Sequence, residues 1–398
     1  MKNQTNFPAR LNDTDLLGGQ QETISNYDSK LPASPRRRDF VLGSLGTGAV
    51  AMFSGVSLGG CLGGGASDPT ITGVEFIGMP APTTAADQAA VSVASSIKIA
   101  YSDGTTKTQA LTYNRIVKTG DMLSANLVGG YFDINNQPIM DTSSSAATQF
   151  FSDCPDGNSL LSVANPTVTG VTGNTVFLVT QYEYVTANNA SAGTRPLSVA
   201  AQSMYGMLPS PISVIVLDQN KTTGALTPVK YHSVDTRAVH GLWITCAASL
   251  SPWNTHLSSE EYEPDAVNIA TNAMFRGFSQ NLYGSPTAAN PYHYAYVPEV
   301  TVKPDGTATI VKHYSMGRIA RELIEVMPDN KTVIMGDDGT DTGLFMFIAN
   351  AEKDLSSGTL YVAKWTQTAS AAGGAGTLTW IKLGNATNAE VAALADIY

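Results

Sequence analysis

The sequence predicts an all-β protein, either a β-propeller or a sandwich. Short apolar runs of strand length are separated by turn signals, the hairpins they form recur at roughly forty-residue intervals, and helical periodicity is scarce. The first hairpin lies over 96–113, where Ile and Tyr positions alternate around Ser102-Asp103-Gly104-Thr105. A second runs through 213–217, turns over 218–224 and returns through 229–234. The clearest covers 296–302 and 307–314, joined by Pro304-Asp305-Gly306. Residues 323–327 and 332–335 flank Pro328-Asp329-Asn330, and a strand at 344–348 follows. Segments 359–365 and 377–383 flank a Gly/Ala-rich turn. Only 268–278 and 388–397 carry a helical pattern.

The N-terminus reads as a targeting segment. Arg36-Arg37-Arg38-Asp39-Phe40-Val41-Leu42 has the form of a twin-arginine export motif centred on Arg37 and Arg38, which implies the Tat translocase as a transient partner. The glycine-diluted apolar stretch over 41–58 is too weak for a stable membrane span. Leu58-Gly59-Gly60-Cys61 resembles a lipobox, in which cleavage leaves Cys61 lipid-modified; the alternative is an ordinary cleavage site beside an incidental Cys61. The expected organisation is an export signal over 1–61, a linker over 62–69 and one β domain over 70–398. This implies a protein of the periplasm or outer cell envelope, touching membrane only through a lipid anchor.

With 23 basic and 33 acidic residues the net charge is −10, which disfavours nucleic acid and anionic lipid as partners. Cys154 and Cys246 remain after processing, as one disulfide or two free thiols. No His-x-x-x-His pair or phosphate-binding Gly-Lys-Ser/Thr loop is present, and the Gly-x-Ser-x-Gly at Gly55–Gly59 falls within the targeting segment, which argues against zinc-protease, serine-hydrolase and P-loop chemistry.

The most informative stretch is Cys246 to Asp265. It sets a thiol, Pro252-Trp253, His256 and the acids Glu260, Glu261, Glu263 and Asp265 within about one strand-turn-strand. Carboxylates this close repel unless a cation sits among them or water solvates them. A soft thiolate beside hard oxygens suits a transition ion near Cys246 and calcium near the acids; a solvated acidic loop beside an unrelated buried Cys is the plainer alternative.

The segment resembles the signature of PhoX-type alkaline phosphatases, with Cys246, Pro252, Trp253, Thr255, Glu260 and Glu261 at the family's spacing. Further resemblances follow in order along the chain: Val117-Lys118-Thr119-Gly120-Asp121, Phe177 to Tyr184, Gly317-Arg318-Ile319-Ala320-Arg321-Glu322, Met335-Gly336-Asp337-Asp338, and Gly358 to Ala363. The resemblance implies a six-bladed β-propeller, here lacking its C-terminal blades because no later Arg-Pro-Glu-Trp motif occurs. It implies iron on Cys246, and calcium and iron among Glu183, Glu260, Glu261, Glu322, Asp121, Asp337 and Asp338. Where the family has His before the acid, this chain has Tyr182 and Arg321, suited to a phenolate ligand and to a bidentate phosphate contact respectively. The implied activity is hydrolysis of small phosphomonoesters. A non-catalytic envelope propeller and a calcium-dependent lactonase or phosphodiesterase are the alternatives.

Overall fold

The computed structural model describes residues 69–398 except 79–80, 90–94, 144, 146, 186–187, 189–203, 340–341 and 372–373. Arg37, Arg38, Cys61 and the Gly/Ala-rich linker lie outside the described residues. The chain forms two compact units, one spanning Ile24–Arg115 and the other containing Ile116–Tyr398. Residues 70–398, expected to form one domain, fall in both.

In the first unit, β1 (Ile71–Ile77), α1 (Ala85–Ala89), β2 (Ser96–Tyr101) and β3 (Thr106–Ala110) follow in sequence, and the strands make an antiparallel sheet ordered β1-β2-β3. Asp103 closes the β2–β3 turn by accepting from the Thr105 amide at 2.9 Å, as the Ser-Asp-Gly-Thr signal requires.

The second unit opens with two short hairpins, β4 (Met122–Leu123) with β5 (Asn126–Leu127) and β6 (Met140–Asp141) with β7 (Thr148–Gln149). Three antiparallel meanders follow. The first contains β8 (Pro155–Leu161), β9 (Asn174–Tyr182), β10 (Ile212–Gln219) and β11 (Leu226–Ser233). The second contains β12 (Ser249–Leu250), β13 (His256–Leu257), β14 (Val297–Val302) and β15 (Ala308–His313). The third contains β16 (Arg321–Val326), β17 (Thr332–Asp337), β18 (Leu344–Ala351), β19 (Asp354–Ala369) and β20 (Ala375–Thr387).

Strand alternation explains how the meanders stack. Val214 and Val216 of β10 join Phe177 and Val179 of β9 in a core completed by Val300, Val302 and Ile310 of the second meander. Ile215 and Leu217, on the opposite face, pack with Val128 and Tyr231. A further core joins Leu257 and Val297 to Ile324, Val333, Met335 and Phe347 of the third meander. Each such fully buried side chain contributes about 1.5–3 kcal/mol. Sheets of four or five strands in sequence order, packed through successive cores, are the blades of a β-propeller. The all-β class read from the hairpins is the class observed.

Two elements differ in extent from the sequence expectation. The helix expected over 268–278 is α2 (Ala273–Tyr283): the Asn272 side chain accepts from the Phe275 amide at 3.0 Å and starts it, and Gly284 at φ 76° ends it. The helix at 388–397 is α3 (Asn388–Ala395), opened by a capping box between Thr387 and Glu390.

Candidate metal centre

The site is assembled where β9 ends. Adjacent residues of an extended chain point to opposite faces. Tyr182 therefore enters the core, its hydroxyl 3.0 Å from Ser213 Oγ, while Glu183 turns the other way. The Glu183 main chain is pinned on both sides: its N–H donates to Cys154 O at 3.0 Å and its C=O accepts from Ser210 Oγ at 2.8 Å. Thr245 Oγ1 donates to Tyr182 O at 3.2 Å, laying the Cys246 segment beside Glu183.

A buried polar chain then fixes the Cys246 backbone. Gln181 Nε2 donates to Cys246 O and, at 3.2 Å, to Ala247 O. With its amide nitrogen used this way, Gln181 Oε1 must accept, so His256 Nε2, 3.0 Å away, carries the proton. His256 Nδ1 meets Ser159 Oγ at 2.8 Å, and complete burial pushes the imidazole down to about 3, leaving it neutral. Gly157 N–H also donates to Cys246 O, at 3.3 Å. A Cβ at Gly157 would stand 2.6 Å from Ala248 Cβ and N, so this approach requires glycine.

The acid pair is divided by the same alternation. An isolated bridge pairs Thr245 with Glu260, and Glu261 N–H donates to Ile244 O at 3.0 Å. Flanking residues Ile244 (φ 37°) and Tyr262 (φ 47°) hold left-handed backbone, costly for a β-branched residue and of order 1–3 kcal/mol each. Glu260 faces inward and Glu261 faces Cys246.

Glu183, Cys246 and Glu261 each place one donor atom within 4.8 Å of the others. Cys246 Sγ lies 4.0 Å from Glu322 Oε1, and Cys154 Sγ lies 3.5 Å from Glu183 Oε2. Among the described residues no Lys or Arg forms an ion pair with Glu183 or Glu261. Burial, and then Asp156 and Glu322, push the Glu183 carboxyl up to about 7 against the Cys154 thiol, which opposes the rise. Burial, reinforced by Glu183, Asp338 and Glu322, pushes Glu261 up to about 8. Burial likewise raises both thiols, Cys154 to about 11. Tyr205, edge-on to Tyr184 at 4.8 Å, borders the group; burial and then the field of Glu183 and Glu261 push its phenol up to about 12. A cluster of this kind is costly when ionised and lacks its positive partner. Mixed sulfur and oxygen donors fit a metal ion.

The chain matches the family model of alkaline phosphatase PhoX over residues 109–397. It belongs to that family. Among solved structures it is similar to Pseudomonas fluorescens PhoX in complex with vanadate, a transition state analogue, at 18% identity and a TM-score of 0.47. That likeness covers 68% of this chain and 55% of that chain, so this sequence spans little more than half its length. No curated protein matches this sequence.

Of the residues that the PhoX signature singled out, the structure brings Glu183, Cys246 and Glu261 together, with exposed Glu322 at the edge. Asp338 stands beside them, accepting from Tyr262 OH at 2.6 Å and adding to the field on Glu261. Asp121 is elsewhere in use: it sits exposed in a turn and accepts from Lys118 N–H at 3.0 Å. Asp337 lies at the end of β17 opposite Arg321, half-buried, outside the close group.

Three expectations are corrected. Glu260 is fully buried and accepts from Trp243 N–H, Tyr296 N–H and Lys312 Nζ at 2.9–3.0 Å, so its charge is already neutralised within the core. Arg321 is also fully buried, and its Nη1 and Nη2 donate to the carbonyls of Ala295, Met316 and Gly317 at 2.8–3.2 Å while its Nε has no partner, so the end of the fork that would grip a phosphate is held inside the core. Tyr182 is held in the core by Ser213 rather than offered as a phenolate. The signature residues Trp253 and Thr255 both donate to Glu299, at 2.7 and 2.5 Å, and tie the β12–β13 hairpin to β14.

Sequence reasoning missed Cys154, Asp156, Gln181 and Tyr205. Both cysteines are free, which removes the disulfide alternative. Cys154-Pro155-Asp156-Gly157 had a readable signal, since its acid and glycine beside a thiol are unusual at a strand start, but pairing with Glu183 is a tertiary fact.

Proposed function

We propose that this chain is a metal-dependent phosphomonoesterase of the cell envelope, using iron and calcium. The observation that carries the reading is the uncompensated Glu183–Cys246–Glu261 group, in a chain of the PhoX family. Cys246 with Glu183 and Glu261 would hold the transition ion, and the oxygens of Glu261, Glu322 and Asp338 suit calcium. When bound, these metals supply positive charge at the phosphoryl group being transferred. The chain's own residues prepare that chemistry. Gln181, His256 and Gly157 immobilise the Cys246 main chain, Ser210 fixes Glu183, and the Tyr184–Tyr205 ring pair borders the group.

Export by the twin-arginine route through Arg37 and Arg38, and lipid anchoring at Cys61, belong to the same proposal. No helix among the described residues is long and apolar enough to cross a membrane. One observation favours a non-catalytic binding propeller instead: Arg321, the cation nearest in sequence to Glu322, is spent on carbonyls. Metal analysis of the purified full-length protein, with turnover of a generic phosphomonoester, separates the two. Iron, calcium and chelator-sensitive turnover are expected. Protein purified without either metal, and inactive after both are added, would overturn the reading. Calcium alone with lactone or phosphodiester turnover would move the assignment to those substrates.

A further inference from the structure

We propose that Tyr205 is a substrate-contacting residue of this centre, its hydroxyl donating a hydrogen bond to a non-bridging oxygen of the phosphoryl group being transferred. The inference rests on the phosphomonoesterase reading above and adds a residue that lies outside the PhoX-like signature.

Three observations carry it. The first is position. The Tyr205 ring is held on two sides: edge-on against Tyr184, with centroids 4.8 Å apart, and against the core that contains Trp243 and Ile244. Tyr184 follows Glu183 in the chain, and Ile244 O accepts from Glu261 N–H. Tyr205 therefore spans the segments that carry both carboxylates of the group. The turn after it is fixed as well: Gly206 holds φ 63°, and a Cβ there would lie 2.4 Å from Met274 Sδ.

The second is an uncommitted donor. The hydroxyls of Tyr182, Tyr262 and Tyr294 are engaged by Ser213 Oγ, Asp338 Oδ2 and His240 O. Tyr205 is half-buried, and its hydroxyl has no hydrogen-bond partner among the described residues. Burial, and then Glu183, Glu261, Cys246 and Cys154, keep the phenol protonated, so it can donate but does not act as a base. The third is how the nearby cations are used. Lys312 is paired with Glu260, Arg321 donates to three carbonyls, and Arg318 donates to the carbonyls of Pro264 and Pro291. Phosphoryl oxygens carry charge, and beyond any bound metal they require an N–H or O–H from the protein. Tyr205 offers one at the border of the group.

The test is Tyr205→Phe in metal-loaded full-length protein, which keeps both ring contacts and removes only the hydroxyl. Iron and calcium content should match wild type. For para-nitrophenyl phosphate and for an alkyl phosphate alike, kcat/KM should fall about 10- to 100-fold, and affinity for inorganic phosphate about tenfold. Unchanged kcat/KM at normal metal content would overturn the proposal and leave the phosphomonoesterase reading standing. A loss confined to the alkyl ester would also overturn it, because the hydroxyl would then serve the leaving group. Loss of bound metal in the variant would make Tyr205 a support of the centre and reject the substrate contact. Wild-type protein that hydrolyses neither ester would overturn both readings. Hydroxyl-radical oxidation of the unmutated, metal-loaded protein, read by peptide mass spectrometry, guards against a variant that fails to fold. Saturating inorganic phosphate is expected to protect Tyr205; equal oxidation with and without phosphate would reject the contact.

Discussion

Glu261→Gln is expected to stabilise the metal-free protein at high pH and to destabilise the metal-loaded one. Glu261 is 3% exposed, and its carboxyl is raised from 4.5 to about 8 by burial and by neighbouring acids. A rise of that size corresponds to about 5 kcal/mol against ionisation. Water entering beside exposed Glu322 screens part of it, so roughly 2–3 kcal/mol is expected in practice. The sign follows from proton binding. Between about pH 4.5 and 8 the folded state holds more protons on Glu261 than the unfolded state, so stability falls as pH rises through that window and the full penalty applies above it. Gln carries no charge and escapes it. Urea denaturation in chelator should therefore give similar midpoints for the two proteins at pH 5. At pH 9 the variant should be more stable by roughly 2–3 kcal/mol. With metal the order reverses, because binding stabilises the native state of the wild type and the variant has lost a ligand. Glu263→Gln, at an exposed position two residues on, is the control and should match wild type throughout. A Glu261→Gln protein less stable than wild type in chelator at pH 9, or one with unaltered metal affinity, would refute the reasoning.

Glu260→Gln should behave oppositely: it strands the buried ammonium of Lys312 and costs about 3–5 kcal/mol at neutral pH. Urea midpoints read the loss, and a variant as stable as wild type would show that the pair is not needed. Gly157→Ala drives a methyl into Ala248, so a loss of about 1–3 kcal/mol and weaker metal binding are expected; an unchanged midpoint would mean the segments part freely. Replacing Arg37 and Arg38 together by Lys should leave precursor in the cytoplasm, as fractionation and immunoblotting would report. Normal export would remove the twin-arginine assignment.

The sequence by itself determined the all-β class, because turn signals and strand periodicity are local. Pro304-Asp305-Gly306 can scarcely do anything but reverse a chain between two apolar runs, and β14 and β15 lie where they were read. It also determined the neighbourhood of the site, since Cys246 and the Glu-Glu pair share one segment. What it left open was direction. Along an extended strand consecutive side chains alternate, so one of Glu260 and Glu261 had to face the core, but which one depended on where Lys312 and Tyr296 arrived from fifty-two and thirty-six residues away. The same uncertainty hid the fates of Tyr182 and Arg321, whose pairing with Ser213 and with three carbonyls is set by packing. Cys154 was hidden for a further reason: its partner Glu183 is twenty-nine residues distant, and only the pairing of β8 with β9 carries the two together. Local chemistry fixes turns and strands, whereas the contents of a site are chosen by contacts between residues far apart in the chain, and those only the tertiary structure decided.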